Sequence, residues 1–381
     1  MGSKKWRVCN SAGTRRVIVT KELPGTRWLE ALSAADCRVE ICTSTDVLSI
    51  DDIKAAIGNS CDAAIGQLTE TWGQDLFAAL KAAGGTAYSN YAVGFNNVDV
   101  DAATRHGIPV GNTPGVLTET TAEMAVTLTF AAARRIGESE RFMRAGEYKG
   151  WLPTLFLGEL LWGKTLGIIG AGRIGAAYAR MMVEGHRMSL IYHDLYQNKA
   201  LEDYIFAYGE FLKSQGQMAP RCRRAETVEE LLQQADCVSV HTVLDESTHH
   251  LIDAKRLALM KENAILVNTS RGPVINEADL VAHCRNHPEF RAGLDVFENE
   301  PDTAPGLDKL DNVVIVPHIA SATSWTRQGM ATLAASNIAG LLMGYPVWNR
   351  ADITPFLEGD SPKAAPSVIN AEDLGLKKFK G

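Results

Sequence analysis

Short apolar runs alternate with helix-like stretches along most of this chain. Residues 16–20, 38–42, 62–66 and 86–90, followed by 108–111, are four- and five-residue segments of small and apolar side chains between turn residues. Strands of that length, separated by helical spacing, predict a parallel sheet with right-handed crossovers. A second series lies at 165–169, 190–194, 237–241, 264–268, 291–295 and 313–316. The pattern therefore predicts an α/β protein with two doubly wound parallel-sheet domains.

Two Ala-rich helical patterns break the rhythm. One runs from about Thr121 through Arg135 toward Gly146, and the other from about Thr323 to Gly344. The second is read as returning to the first domain. One domain is then discontinuous, 1–120 with 322–381, and the other spans 121–321. Residues 195–226 are a polar insertion placed only as surface structure. The Pro-, Ser- and Lys-containing tail from Asp360 is expected to be extended or loosely docked.

The two strand series differ in their turns. After 165–169 comes Gly170-Ala171-Gly172-Arg173-Ile174-Gly175, and then a helix-forming segment. A strand feeding G-x-G-x-x-G into a helix is the dinucleotide-binding context of a Rossmann domain, with the pyrophosphate at the helix N-terminus. The next strand ends at Asp194, 24 residues beyond Gly170 (194 − 170). A carboxylate there accepts from both ribose hydroxyls and repels a 2′-phosphate, so the expected cofactor is NAD(H) over NADP(H). His193 and Lys199 are neighbours that temper the preference.

Composition narrows the partners. The 381 residues are 46% hydrophobic and 22% charged, with a net charge of −7. A modest, dispersed negative charge argues against nucleic acid, and the short basic cluster 221–224 is read as solvated surface. No apolar run approaches the ~20 residues of a membrane span. Seven scattered cysteines without a C-x-x-C pair suggest a reducing compartment, with neither disulfides nor a metal site expected.

Three polar residues follow strands of the dinucleotide unit: Arg271 after 264–268, Glu300 after 291–295, and His318 after 313–316. Open parallel sheets place active sites at that edge. A guanidinium holds a carboxylate with paired bonds, and an imidazole beside a carboxylate can donate a proton. Singly, each residue also suits a surface or turn position.

These motifs in order, 170–175, 268–272, 295–301 and 317–321, resemble the D-isomer-specific 2-hydroxyacid dehydrogenases over nearly the whole chain. Residues 24–28 and 111–123 are similar to the plant and algal hydroxypyruvate reductases of that family. The resemblance implies a flavodoxin-like substrate domain beside the Rossmann domain, and NADH-dependent reduction of hydroxypyruvate to D-glycerate with glyoxylate as a secondary substrate. Another 2-keto acid or phosphoglycerate is the alternative within the class, and an NAD(H)-sensing corepressor-like protein the alternative outside it. Arg271 is implied as the substrate clamp, His318 as the proton donor, Glu300 as its partner and Asp295 as a neighbour of the nicotinamide. Thr269, Ser270 and Ser321 join the cofactor set. Backbone N–H groups of Val93 and Gly94 are implied as carboxylate donors, an ordinary Gly turn being the other reading.

The resemblance also implies a homodimer built on the helix after Thr121, using Ala122, Ala125, Ala131, Ala132 and Ala133. Trp151 is carried toward the partner's substrate cleft, or is plain interface packing. The last residues, Lys378-Phe379-Lys380-Gly381, depart from a peroxisomal Ser-Lys-Leu ending. Lys4, Lys5, Arg7, Arg15, Arg16 and Lys21 precede the first acid, Glu22, a transit-like bias. An organelle matrix such as the mitochondrial one is the expected location, with the cytosol as alternative.

Overall fold

A computed structural model describes residues 6–380, so Lys4, Lys5 and Gly381 lie outside the described residues. The chain forms two compact units, one of Met1–Leu117 with Ala322–Gly381 and the other of Thr118–Ser321.

In the first unit, strands β1 (Trp6–Cys9), β2 (Arg15–Val19), β3 (Cys37–Cys42), β4 (Ala63–Gly66), β5 (Ala87–Asn90) and β6 (Val110–Gly111) form one sheet. Its order is β1-β3-β2-β4-β5-β6, parallel except for β1 against β3. The antiparallel edge strand β1 is an addition to the expected set. None of its residues is buried, which hides it from an apolar-run reading. Val17 and Val19 pack on one face of the sheet and Ile18 on the other.

The helix Ser324–Leu342 belongs to this unit and is buried along most of its length. Asn337, fully buried, joins three segments: Nδ2 donates to Asn112 O at 2.9 Å, and Oδ1 accepts from Ser367 N at 2.8 Å. The C-terminal tail is thus not loosely docked, correcting the expectation. Ala364, Ala365 and Val368 are buried, and Asn370 accepts from Val110 N and donates to Ile108 O. Prolines and serines suggest looseness, but buried asparagines satisfy the backbone of the tail and of the elements it meets.

In the second unit, β7 (Thr165–Ile169), β8 (Ser189–His193), β9 (Cys222–Arg224), β10 (Cys237–Val240), β11 (Ile265–Asn268), β12 (Arg291–Leu294) and β13 (Val313–Ile315) make a sheet ordered β13-β12-β11-β10-β7-β8-β9. Every pairing is parallel. The chain order reverses beside β7, the switch point where doubly wound sheets bind dinucleotides. Leu190, Tyr192, Ile265 and Val267 enter the core on one face, Ile191 and Leu266 that on the other. Both faces are covered by helices, which is why these strands read as continuous apolar runs rather than alternating ones.

Two further expectations change here. The insertion 195–226 is not featureless surface: it holds the helix Lys199–Ser214 and the edge strand β9. The long Ala-rich pattern is two helices, Thr118–Ala133 and Ile136–Arg144, broken where Arg135 takes φ 55°. Ala122, Ala125, Ala132 and Ala133 are buried, and the helix packs against Arg173–His186 and strands β11 and β12 of its own unit. Those four small side chains are taken up by internal packing. The exposed apolar side chains lie later, at Ile136, Met143, Trp151, Leu152, Leu157, Leu160 and Trp162.

Candidate active site

The turn after β7 is built by close approach. Gly170 has φ 92°, and a Cβ there would sit 2.7 Å from the His241 backbone. A Cβ on Gly175 would lie 2.1 Å from the Gly170 carbonyl. Gly172 is different: a Cβ there meets no protein atom within 4 Å. The protein leaves that space free, as a cradle for a close-lying ligand would. The helix Arg173–His186 begins there without a side-chain cap, so its first N–H groups face outward. Arg173 is exposed and Ile174 half-buried at that first turn.

His241 closes the turn from beneath. Its Nε2 lies 2.8 Å from Ser239 Oγ and its ring packs on Tyr178. Burial pushes its pKa down to about 3. Asp194 follows β8, where Oδ2 accepts from Ala171 N at 2.8 Å and Oδ1 from Tyr196 N at 3.1 Å. The carboxylate is therefore fixed beside the Gly turn. These bonds leave it further lone pairs for ribose hydroxyls.

Past β11, the buried Asn268 shapes the next segment. Its Nδ2 donates to Arg271 O at 2.9 Å, and its Oδ1 accepts from the N–H and hydroxyl of Ser270. Thr269 Oγ1 is buried without a hydrogen-bond partner. An orphaned buried hydroxyl at the sheet edge that carries the Gly turn suits a bound polar group. Together with the open cradle at Gly172 and the fixed Asp194, it shows that these residues fit a dinucleotide.

Arg271 is half-buried, and its Nη1 donates to Ser270 O at 2.7 Å. Burial lowers its pKa from the ordinary value while the charge of Glu300 opposes that. Glu300 Oε1 accepts from Phe297 N at 3.0 Å, and Oε2 lies 2.9 Å from His318 Nδ1. Burial raises the Glu300 pKa, but the His318 hydrogen bond and charge, with the Phe297 N–H and the Arg271 charge, together outweigh it and hold the carboxyl below its ordinary value. The His318 and Glu300 side chains are 32% and 36% exposed, so a small molecule can reach the pair.

His318 sits at φ 52°, an uncommon conformation for a non-glycine residue. Asp295 holds it there. The Asp295 carbonyl accepts from His318 N at 2.9 Å, and its carboxylate accepts from Ile319 N at 2.6 Å and Ala320 N at 2.9 Å. Asp295 is fully buried, and burial raises its pKa despite those two donors. Its observed contacts thus buttress the histidine turn, a task distinct from the expected place beside the nicotinamide. Ser321 follows this turn, half-buried.

His250, Glu298 and Glu277 form a network that the sequence does not announce. His250 Nε2 lies 2.7 Å from Glu298 Oε1, and His250 N donates to Pro273 O at 2.7 Å. Glu277 accepts from Glu298 N and Ala304 N. These bonds tie the segment after Arg271 to the turn bearing Glu300. No spacing rule in the sequence links these three positions.

In the first unit, Asn112 Nδ2 and Asn90 Nδ2 donate to the carbonyls of Val93 and Gly94 at 2.9 and 3.1 Å. The loop is held by its acceptors, leaving the N–H groups of Val93 and Gly94 without a partner among the described residues. Trp151 is 79% exposed.

The family model described as D-isomer specific 2-hydroxyacid dehydrogenase, NAD binding domain, matches residues 126–320. A glycerate dehydrogenase of Cucumis sativus is 59% identical over 372 residues, covering 97% of each chain. A glyoxylate reductase of Thermococcus litoralis is 45% identical over 261 residues, 67% of this chain and 73% of its own. Among solved structures, the TT0316 protein of Thermus thermophilus matches with a TM-score of 0.76 at 35% identity, covering 86% of this chain and 97% of its own. The chain belongs to the D-isomer-specific 2-hydroxyacid dehydrogenases.

Proposed function

We propose that this enzyme reduces hydroxypyruvate to D-glycerate with NADH, and glyoxylate to glycolate as a secondary activity. The observation that carries the reading is the His318–Glu300 pair at 2.9 Å beside the Arg271 guanidinium, in a chain 59% identical to a glycerate dehydrogenase.

Residues 170–175 would hold the pyrophosphate, Asp194 the adenosine ribose, and Thr269, Ser270 and Ser321 the nicotinamide half. Bound NADH supplies the hydride. Arg271 grips the substrate carboxylate through paired charge-assisted hydrogen bonds and polarises the neighbouring keto oxygen. His318, with Nδ1 engaged by Glu300, donates its Nε2 proton to that oxygen as the alcohol forms. Glu300 stabilises the imidazolium before transfer and orients the ring throughout. The free N–H groups of Val93 and Gly94 are the first unit's proposed carboxylate donors.

Cofactor preference follows from Asp194, whose charge favours ribose hydroxyls over a 2′-phosphate. We further propose a homodimer, its seam formed by the exposed apolar side chains between Ile136 and Trp162.

Steady-state kinetics of the full chain with NADH test the reading. Hydroxypyruvate is expected to give the highest kcat/KM among hydroxypyruvate, glyoxylate, pyruvate and 3-phosphohydroxypyruvate. NADH binding with no turnover of any of them would instead make this a cofactor-sensing protein. NADH should exceed NADPH in kcat/KM, and Asp194→Ala should narrow the gap; equal efficiencies in the unmutated enzyme would remove Asp194 from this role.

A further inference from the structure

The cysteine pattern predicts no metal site, but a different donor set converges in the second unit. Each of His249, His250 and Glu298 brings one ligand atom to within 4.8 Å of the other two. No other three histidine, cysteine or carboxylate side chains do so among the described residues. The imidazole rings of His249 and His250 stack with centroids 4.0 Å apart and 29° between their planes. His250 Nε2 lies 2.7 Å from Glu298 Oε1.

The backbone beneath each of these side chains is pinned. Asp245 Oδ1 accepts from Ser247 N at 2.8 Å, and Asp245 O accepts from His249 N at 2.9 Å, which closes the turn carrying the first ring. His250 N donates to Pro273 O at 2.7 Å, and Glu298 N to Glu277 Oε2 at 2.9 Å. Glu277 is buried, so Glu298 stands on a fixed support. His249 is exposed, and solvent reaches the cluster from its side. Burial works against the Glu298 charge, but the His250 hydrogen bond, the Glu277 N–H and the charges of His250 and His249 together hold its carboxyl below the ordinary value.

Two imidazole nitrogens and one carboxylate oxygen suit Zn²⁺ and its transition-series neighbours, whereas Mg²⁺ and Ca²⁺ take oxygen ligands. Bonds of about 2.0–2.2 Å to Zn²⁺ set tetrahedral ligands about 3.3–3.6 Å apart. His249, at the surface, is the side chain that rotates to reach that spacing. We propose that His249, His250 and Glu298 form a binding site for one divalent transition cation, Zn²⁺ being the best match, with water completing its coordination. A bound ion replaces the His250–Glu298 hydrogen bond with two metal bonds and ties the loop after β10 to the turn that leads to Glu300. No hydride or proton step proposed above passes through this site.

Calorimetric titration of the metal-stripped full chain, without an affinity tag, with Zn²⁺ tests the site, with Tm followed in parallel. The unmutated protein should bind Zn²⁺ and gain Tm, and Mg²⁺ at the same concentration should do neither. Loss of an outer-shell partner typically costs a metal about 10–100-fold in affinity, and loss of a ligand costs at least as much. His249→Gln and Glu298→Gln should therefore each weaken Zn²⁺ by about ten-fold or more. His249→Gln removes an exposed ring and should keep the metal-free Tm; if Glu298→Gln lowers it, His249→Gln decides. Co²⁺ in place of Zn²⁺ should show the d–d absorption of nitrogen and oxygen ligands without a thiolate charge-transfer band. His283 and His287, stacked at 4.3 Å, are the competing pair, and His287→Gln should leave Zn²⁺ affinity unchanged. The site would be overturned by any of four results: no Zn²⁺ binding, an unchanged affinity in His249→Gln, a thiolate band, or a loss in His287→Gln.

Discussion

At the scale of single residues, Arg271 and His318 are placed to fail differently. In the proposed mechanism Arg271 both holds the substrate and polarises it, so Arg271→Ala should raise KM and lower kcat together. Glu300 works through charge. Burial raises its pKa, but the His318 hydrogen bond and charge, the Phe297 N–H and the Arg271 charge together hold the carboxyl below the ordinary range. Glu300→Gln keeps an acceptor but removes the anion. The alkaline limb of the reduction rate should therefore move to lower pH, with a larger loss of kcat at pH 8 than at pH 6. An unmoved alkaline limb would assign that ionisation elsewhere.

At the scale of elements, the histidine turn after β13 depends on Asp295. Replacing it with Ala leaves the N–H groups of Ile319 and Ala320 without their acceptors. A hydrogen bond to a buried charged group is worth about 1.5–3 kcal/mol. Asp295→Ala should lower the Tm and kcat together, and a variant with normal kcat would show that the turn holds itself.

The half-buried His241 carries a separate pH signature. Its folded pKa of about 3 lies below the ordinary 6.5, so in that interval the unfolded chain binds the proton and the folded chain does not. Stability from this group is complete above pH 6.5 and is lost as the pH falls toward 3. His283, lowered to about 4 by burial, acts in the same direction. His241→Gln should flatten the dependence of Tm on pH below 6.5 without abolishing it. An unchanged slope would contradict the burial effect.

What the sequence makes legible follows from what each element buries. The two strand series are visible because both sheet faces are covered, making apolar runs of β7, β10 and β11. The residues 271, 300 and 318 are visible because parallel strands deliver their following residues to one edge. Strand β1 is not, since it lies at an edge with no buried side chain. The docked tail escapes a sequence reading because asparagine bonds, Asn370 to Val110 and Asn337 to Ser367, leave no periodic signal.

At the scale of the whole molecule, the proposed dimer is tested at Trp151. Its 79% exposure, with Leu152, Leu157 and Leu160 close in sequence, leaves apolar surface that a second copy of the chain would cover. Light scattering should report a dimer. Trp151→Ala should weaken it; an accompanying change in preference between hydroxypyruvate and bulkier keto acids would place the ring at a substrate cleft, whereas an unchanged preference would make it packing. A monomeric unmutated protein would end the dimer proposal.

The account stands most directly on proton donation by His318. Hydroxypyruvate reduction by His318→Ala should be compared with the unmutated enzyme at saturating NADH, with NADH affinity measured in parallel by fluorescence titration. Loss of the acid should lower kcat by about 10²–10⁴-fold while NADH affinity stays within about two-fold. A near-normal kcat in this variant would contradict the assignment, because some other group would then be delivering the proton.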